Sequence, residues 1–294
     1  MTHRKSEIHM HSTFSDGEFS PEQLVDIAQK NNVTLLSLTD HDTFEGIHEF
    51  LNAAKETQIE AFPGIEITVK FQGFDIHILA YFKNYESIDS QLLQRVEDMT
   101  ETREKRMIEL IKRIDAVIPE KFRGLIEFQN VKKAAEGVLA RPHLAREMVR
   151  LGIVPNTNQA FERYLVKYNV QRENLDAATA ISLIRKSKGV PVMAHPGERS
   201  YSLICPEKGR SKENAPVLLE ELKEMGLLGL ECHYPYQERM GTVKYFIELA
   251  KKFDLIVTGS RDFHGFYNHQ QVNVFGTTQM EPVFHKQFQA VWSN

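Results

Sequence analysis

The sequence predicts an α/β protein: a parallel (β/α) barrel interrupted by a helical insert. Three observations predict it. Seven short apolar runs recur, at Glu7–Met10, Leu35–Leu38, Ile65–Val69, Ile76–Tyr81, Val190–Ala194, Leu227–Cys232 and Leu255–Thr258. Amphipathic stretches separate several of them, and strands alternating with helices imply a parallel sheet that seven strands can close. One long stretch, about 86–175, has no clear strand. There Leu92, Leu93, Val96, Met99, Met107, Leu110, Ile111, Ile114, Val117 and Ile118 fall near a 3.6-residue period, which reads as one long helix followed by shorter ones. The domain reading is therefore a barrel from 1–90 and 173–294, capped by a helical insert over 91–172.

The helices have local start signals. Ser20-Pro21-Glu22-Gln23 is a capping box with Pro at the first helical position, opening a helix to about Asn31. Asp42-Thr43-Phe44-Glu45 has the same form and predicts a helix to about Thr57. Asp176 can cap a helix ending at Gly189, and Val243–Phe253 reads as another.

Composition excludes several classes. In 294 residues, 41% are hydrophobic and 26% charged, which fits one large globular domain or a domain with an insert and excludes a disordered chain or a fibre. No apolar run approaches ~18 residues, so no membrane span is expected. The N-terminus, Met1-Thr-His-Arg-Lys-Ser, lacks the apolar core of a secretory signal. Two cysteines, Cys205 and Cys232, cannot build a disulfide framework, so a reducing, cytoplasmic compartment is expected. Residues 95–172 carry 16 Lys and Arg against 11 Asp and Glu, whereas the rest carries 20 against 29. An acidic body suits cations, and a basic insert suits an anionic substrate beneath it.

The placement of histidines and acids is the main functional signal. His9 and His11 end the first run, and residues two apart on a strand face the same way. Asp16 follows in a Ser15-Asp16-Gly17 turn. The second run ends at Asp40-His41-Asp42, where Asp42 has a sufficient role as an N-cap but Asp40 and His41 have none. Glu66 and His77 each interrupt an apolar run. A buried carboxylate costs several kcal/mol unless it is paired or bound to a metal. The last three runs end at His195, at Glu231-Cys232-His233 and at Asp262-Phe263-His264. The C-terminal ends of parallel barrel strands form one rim, where active sites are built. Imidazole mixed with carboxylate suits Zn²⁺, Mn²⁺ or Fe²⁺, and the candidates outnumber what one ion needs, so two or three divalent ions are expected. Clustered ions of this kind serve phosphoester displacement.

These residues spell motifs. His9-Met10-His11-Ser12, Asp16-Gly17, Thr39-Asp40-His41-Asp42-Thr43, Gly64-Ile65-Glu66, His77, Ala194-His195-Pro196 and Asp262-Phe263-His264-Gly265 resemble the PHP (polymerase and histidinol phosphatase) domain family, in order, over about residues 5–280. Within it the chain resembles the bacterial branch with a helical insert, which hydrolyses the 3′-phosphate of nucleoside 3′,5′-bisphosphates and trims short RNA 5′ to 3′. The resemblance implies a distorted (β/α)7 TIM-like barrel. It implies that His9, His11, Glu66 and Asp262 hold one metal, that Glu66 bridges to a second held also by His77 and His195, and that Asp16, His41 and His264 hold a third. Asp40 would orient a neighbouring ligand. Mn²⁺ is the first expectation, Fe²⁺ or Zn²⁺ the alternatives. Ala140-Arg141-Pro142-His143 resembles that branch's Arg-Pro-His segment, so Arg141 and His143 would descend onto a substrate phosphate, Arg141 as a bidentate fork.

Two positions depart from the family pattern. Gly259-Ser260-Arg261-Asp262 stands where Gly-Gly-Ser-Asp is common, and Arg261 would contact substrate phosphate or point to solvent. His233 stands where relatives often carry Tyr, and would protonate a leaving group or merely pack. The expected function is a metal-dependent phosphatase on pAp-like bisphosphates and short RNA. Its rivals are a phosphatase for AMP-like mononucleotides or histidinol phosphate, separated by comparing those substrates, and a non-catalytic metal-binding regulatory module, separated by metal content and phosphate release. No protein partner is evident in the sequence.

Overall fold

A computed structural model describes residues 5–135, 138–170, 174–197, 201–266, 275–278 and 283–293. The strands are β1 (Ser6–Glu7), β2 (Leu35–Leu38), β3 (Glu60–Phe71), β4 (Phe74–Tyr81), β5 (Leu175–Asp176), β6 (Val190–Met193), β7 (Gly229–His233) and β8 (Ile256–Gly259). The helices of the body are α1 (Pro21–Lys30) and α2 (Ile47–Lys55), and those of the central stretch are α3 (Ser90–Asp115), α4 (Phe128–Lys133), α5 (Arg141–Arg150) and α6 (Thr157–Ala160). They are followed by α7 (Ala177–Lys186), α8 (Ala215–Glu224), α9 (Pro235–Arg239), α10 (Val243–Lys252) and α11 (Phe284–Ser293). None of the described helices is long and apolar enough to cross a membrane.

The sheet order is β1-β2-β3-β4-β6-β7-β8, with β5 beside β3. It curls strongly. The Tyr81 hydroxyl on β4 donates to the Ile8 carbonyl at 3.0 Å, although two strands lie between β4 and β1. Beyond β1 and β8 the chain is bridged in parallel at Met10 and Phe263. The class is therefore α/β with a curled sheet. The all-parallel pattern expected from the alternation is broken, because β4 runs antiparallel to both β3 and β6. The cause is local. Gln72 and Gly73, both at positive φ (45° and 83°), make a two-residue hairpin turn, whereas a parallel crossover needs a dozen or more residues.

Period two on these strands separates chemistry from core. On β4, Leu79 and Tyr81 point inward with Phe62 of β3, and Phe284 and Phe288 of α11 pack beneath them. On the same face, further along, stand His77 and Glu66. The alternate positions Ile65, Ile67, Ile76, Ile78 and Ala80 bury outward under the surrounding helices. The inside of the sheet is thus apolar at one end and ionisable at the other.

Helix starts follow the local chemistry in two cases out of three. Ser20 caps α1, accepting from the Gln23 amide at 3.4 Å while Gln23 accepts from the Ser20 amide at 2.9 Å. Asp176 caps α7 through the Thr179 amide at 2.9 Å. The box expected at Asp42 does not form. Helix α2 begins at Ile47 after Gly46, and the Asp42 carboxylate instead binds Arg103 and the Thr68 amide and hydroxyl. A tertiary ion pair displaces a local cap. The first half of α3 packs on the body through Leu92, Val96 and Met99. Its second half joins a separate apolar cluster with Val131, Leu144, Met148 and Leu165.

Candidate metal centre

The rim is assembled around Glu66, which is 1% exposed. His9 and His11 lie in the extended segment after β1; Met10 between them turns into the outer core, so both imidazoles face inward. Glu66 Oε2 lies 3.3 Å from both His9 Nε2 and His11 Nε2 and 3.0 Å from His41 Nδ1. Glu66 Oε1 lies 2.8 Å from His77 Nδ1 and 3.0 Å from His195 Nε2. Asp262 Oδ1 lies 3.2 Å from His9 Nε2 and 3.0 Å from His11 Nε2. Asp16 Oδ1 lies 3.2 Å from His264 Nε2 and 3.9 Å from His41 Nε2. Every residue expected as a metal ligand is therefore in one place. Among the described residues, three groups have donor atoms within 4.8 Å of one another: His11, Asp16, His41 and His264; His9, His11, Glu66 and Asp262; and His41, Glu66 and His77.

The donor set fits divalent ions. His9 Nε2, Asp16 Oδ1, His41 Nδ1 and Glu66 Oε2 are buried without a hydrogen-bond partner. Native interiors rarely leave such atoms unsatisfied, and their convergence fits a cation among them. The backbone is also held away from its relaxed form: His195 (φ 27°) and Asp262 (φ 52°) occupy the left-handed region without being glycine. The turn bearing Asp16 folds tightly over His11. A Cβ on Gly17 would meet the His11 carbonyl oxygen at 2.1 Å.

Electrostatics couple these groups. Burial opposes ionisation of Glu66, yet His77, His41, His9 and His11 hold its carboxyl well below the ordinary range. Asp262 is likewise pulled well below by His9, His264 and His11 against its burial. Burial pushes His264 down, but Asp16 and Asp262 outweigh it and raise it to about 10. Burial dominates at His77 and takes it to about 4. In protein stripped of metal, the stabilisation from His264 is complete below its ordinary value of 6.5 and is lost as pH rises through about 10. The depressed carboxylates act oppositely, losing theirs as pH falls. A divalent ion replaces the imidazole protons. Chelated protein is therefore expected to lose thermal stability between pH 6.5 and 10, while affinity for Mn²⁺ rises over that range. Melting curves against pH, with and without Mn²⁺, check both signs.

The other expected site residues divide. Asp40 accepts from the Ser12 amide and hydroxyl (2.7 and 2.6 Å) and the Ser15 hydroxyl (2.5 Å), bracing the loop that carries Asp16. Ser15 Oγ also sits 3.5 Å from His11 Nδ1. Arg141 lines a cavity of about 200 Å³ over the cluster with Asp16, His41, His77, Arg103, Arg106, Phe161 and Tyr201. Tyr201 stacks on His77 with ring centres 4.2 Å apart. His143 does not line that cavity; it is buried, and its Nδ1 accepts from the Ala140 amide at 3.0 Å, so it caps α5. Burial and nearby Arg146 push it down to about 4.

Arg261, expected to contact substrate phosphate or point to solvent, instead faces Glu238. Its terminal nitrogens form a bidentate pair with Glu238 at 2.6 and 2.7 Å, and it is 6% exposed. The fork that suits phosphate is closed on a carboxylate of its own chain. His233 is half-buried and lowered by that burial, with Glu238 and Arg261 as its charged neighbours rather than the cluster. Tyr234, the next residue, reaches the centre, its hydroxyl donating to Asp262 Oδ2 at 3.0 Å. The sequence offered no signal for Tyr234. It did for Arg103, a charge on the buried stripe of α3 among Met99, Met107 and Leu110.

A curled α/β sheet presenting converging imidazoles and carboxylates at one end is the build of a metal-dependent phosphoesterase. The chain belongs to the PHP domain family, whose profile matches residues 7–175. It is 34% identical to a 5′-3′ exoribonuclease of Haemophilus influenzae over 278 residues, 86% of this chain and 96% of that one. It is 27% identical to a 3′,5′-nucleoside bisphosphate phosphatase of Chromobacterium violaceum, over 88% of this chain and 86% of that one. A solved structure from Bifidobacterium adolescentis, assigned as a metal-dependent phosphoesterase, shares the fold with a TM-score of 0.80 at 24% identity, covering 98% of this chain and 96% of that one. The protein is thus a hydrolase, a metal-dependent phosphoesterase of the PHP family.

Proposed function

We propose that the protein hydrolyses the 3′-phosphate of pAp-like nucleoside 3′,5′-bisphosphates and removes nucleotides from short 5′-phosphorylated RNA. The cavity of about 200 Å³ carries this reading, because Arg141 shares it with Asp16, His41 and His77, while Arg103, paired with Asp42, and Arg106, held by Asn169 and Val170, add positive field to the same wall. A substrate with two phosphates needs one set of charges at the reacting centre and another at a distance. His9, His11, Glu66 and Asp262 would hold one divalent ion, Glu66, His77 and His195 a second, and Asp16, His41 and His264 a third, with Mn²⁺ the first candidate. Such ions supply an acidified water and neutralise phosphoryl oxygens. The chain's own part is to place the substrate. Arg141 offers its guanidinium to the remote phosphate, with the Phe161 ring 5.6 Å from its carbon, and Tyr201 offers an aromatic face beside His77. The segment 91–172 acts as the cap that brings these arginines over the rim.

Phosphate release from pAp, AMP, histidinol phosphate and a 5′-phosphorylated tetranucleotide, each with Mn²⁺, Fe²⁺ and Zn²⁺, tests the reading. Preference for pAp over AMP supports it, and equal rates on AMP or histidinol phosphate replace it. The exoribonuclease part of the reading is supported by the Haemophilus influenzae relative, whose match covers 86% of this chain. Arg141→Ala is expected to raise KM for pAp about 10–100-fold, the worth of a charged hydrogen bond, while leaving KM for a simple aryl phosphate within about twofold. Equal effects on both would remove Arg141 from recognition.

A further inference from the structure

Glu231 on β7 is 1% exposed and belongs to none of the donor groups at the rim. Its two oxygens nevertheless reach His9, a member of one group, and the backbone of His195, whose ring lies beside Glu66. Oε1 lies 3.0 Å from His9 Nδ1, and Oε2 accepts from the His195 backbone amide at 2.8 Å. With that carboxylate against Nδ1, a metal-bound His9 would carry its proton there and turn Nε2 toward Glu66 and Asp262. The second pins His195 in its left-handed backbone (φ 27°), from which Nε2 lies 3.0 Å from the other oxygen of Glu66. One buried carboxylate thus fixes a tautomer in one donor set and a strained backbone in the next.

We propose that Glu231 is a positioning residue that sets the donor geometry of two metal subsites at once. This rests on the reading of His9 and His195 as ligands of neighbouring ions. A glutamine cannot serve both contacts. Its amide oxygen can accept from one N–H, and its NH₂ then opposes the other donor. Aspartate keeps the charge but is a methylene too short to span both.

The test measures Mn²⁺ and Zn²⁺ binding by calorimetry and chelator competition, without substrate, in wild type, Glu231→Gln, Glu231→Asp and Leu230→Val. Leu230 lies on the same strand, fully buried in the outward-facing apolar core, so it reports a structural loss. Glu231→Gln is expected to weaken metal binding about 10–100-fold and Glu231→Asp by less. Turnover should recover at raised Mn²⁺, with KM for substrate at saturating metal within about twofold of wild type. Affinity within twofold of wild type in both Glu231 variants overturns the proposal, as does an equal loss in Leu230→Val. If wild type binds metal but hydrolyses none of the phosphoesters, the proposed function fails while the metal comparison still decides Glu231. If wild type binds no divalent ion, both fall.

Discussion

Glu66→Gln is expected to strip the centre of metal and to lower turnover about a thousandfold or more, without unfolding the chain. Five imidazoles, of His9, His11, His41, His77 and His195, lie within 3.3 Å of this one carboxylate. Among the described residues, Asp262 and Asp16 lie against three imidazoles each. The substitution preserves shape and packing but replaces one oxygen with an amide NH₂, which has no free lone pair to coordinate, and removes the anion that offsets the cations. Metal ions supply several kcal/mol of transition-state stabilisation. At 1.36 kcal/mol per decade their loss gives the stated factor. Elemental analysis and turnover on the same preparation check it. Full metal occupancy with full activity would refute the role of Glu66, and metal loss with activity retained would refute the role of the metal.

Much of this centre was legible in the sequence, and the physical reasons can be stated. A His or an acid inside an apolar run has no cheap burial except against a partner, so Glu66 and His77 announced themselves. His9 and His11 did so through their two-residue spacing. The same logic covered Glu231, in the run Leu227–Cys232, but not its contacts, because they depend on the curl that brings β7 beside the segment after β1. The hairpin was legible in principle. Only six residues separate Val69 from Ile76, too few for a parallel crossover. Asp42 misled because a local cap and a distant guanidinium compete for one carboxylate, and only the tertiary structure says which wins. Arg261 misled for the same reason, its partner Glu238 being 23 residues away.

Arg103→Ala is expected to cost about 3–5 kcal/mol of folding stability, the range for removing one member of a buried ion pair. Arg103 is 8% exposed and Asp42 fully buried. Asp42 would keep the Thr68 amide at 2.6 Å and hydroxyl at 3.0 Å, but those neutral donors do not balance its charge. The pair also does more than join α3 to the segment after β2. Asp42 sits next to His41, its backbone is left-handed (φ 51°), and its amide donates to the Glu66 carbonyl at 2.9 Å. A charge lost from α3 is therefore expected to loosen the segment beside His41 and Glu66, the proposed ligands, and metal affinity should fall with stability. Asp42→Asn combined with Arg103→Met removes both charges while keeping the volume, so it should lose less than Arg103→Ala alone, because no unpaired ion remains. Urea denaturation of metal-free and Mn²⁺-loaded protein measures both changes. A loss below about 1 kcal/mol in Arg103→Ala, or a double variant less stable than the single, would show that the pair is not what fastens α3 to the segment bearing His41.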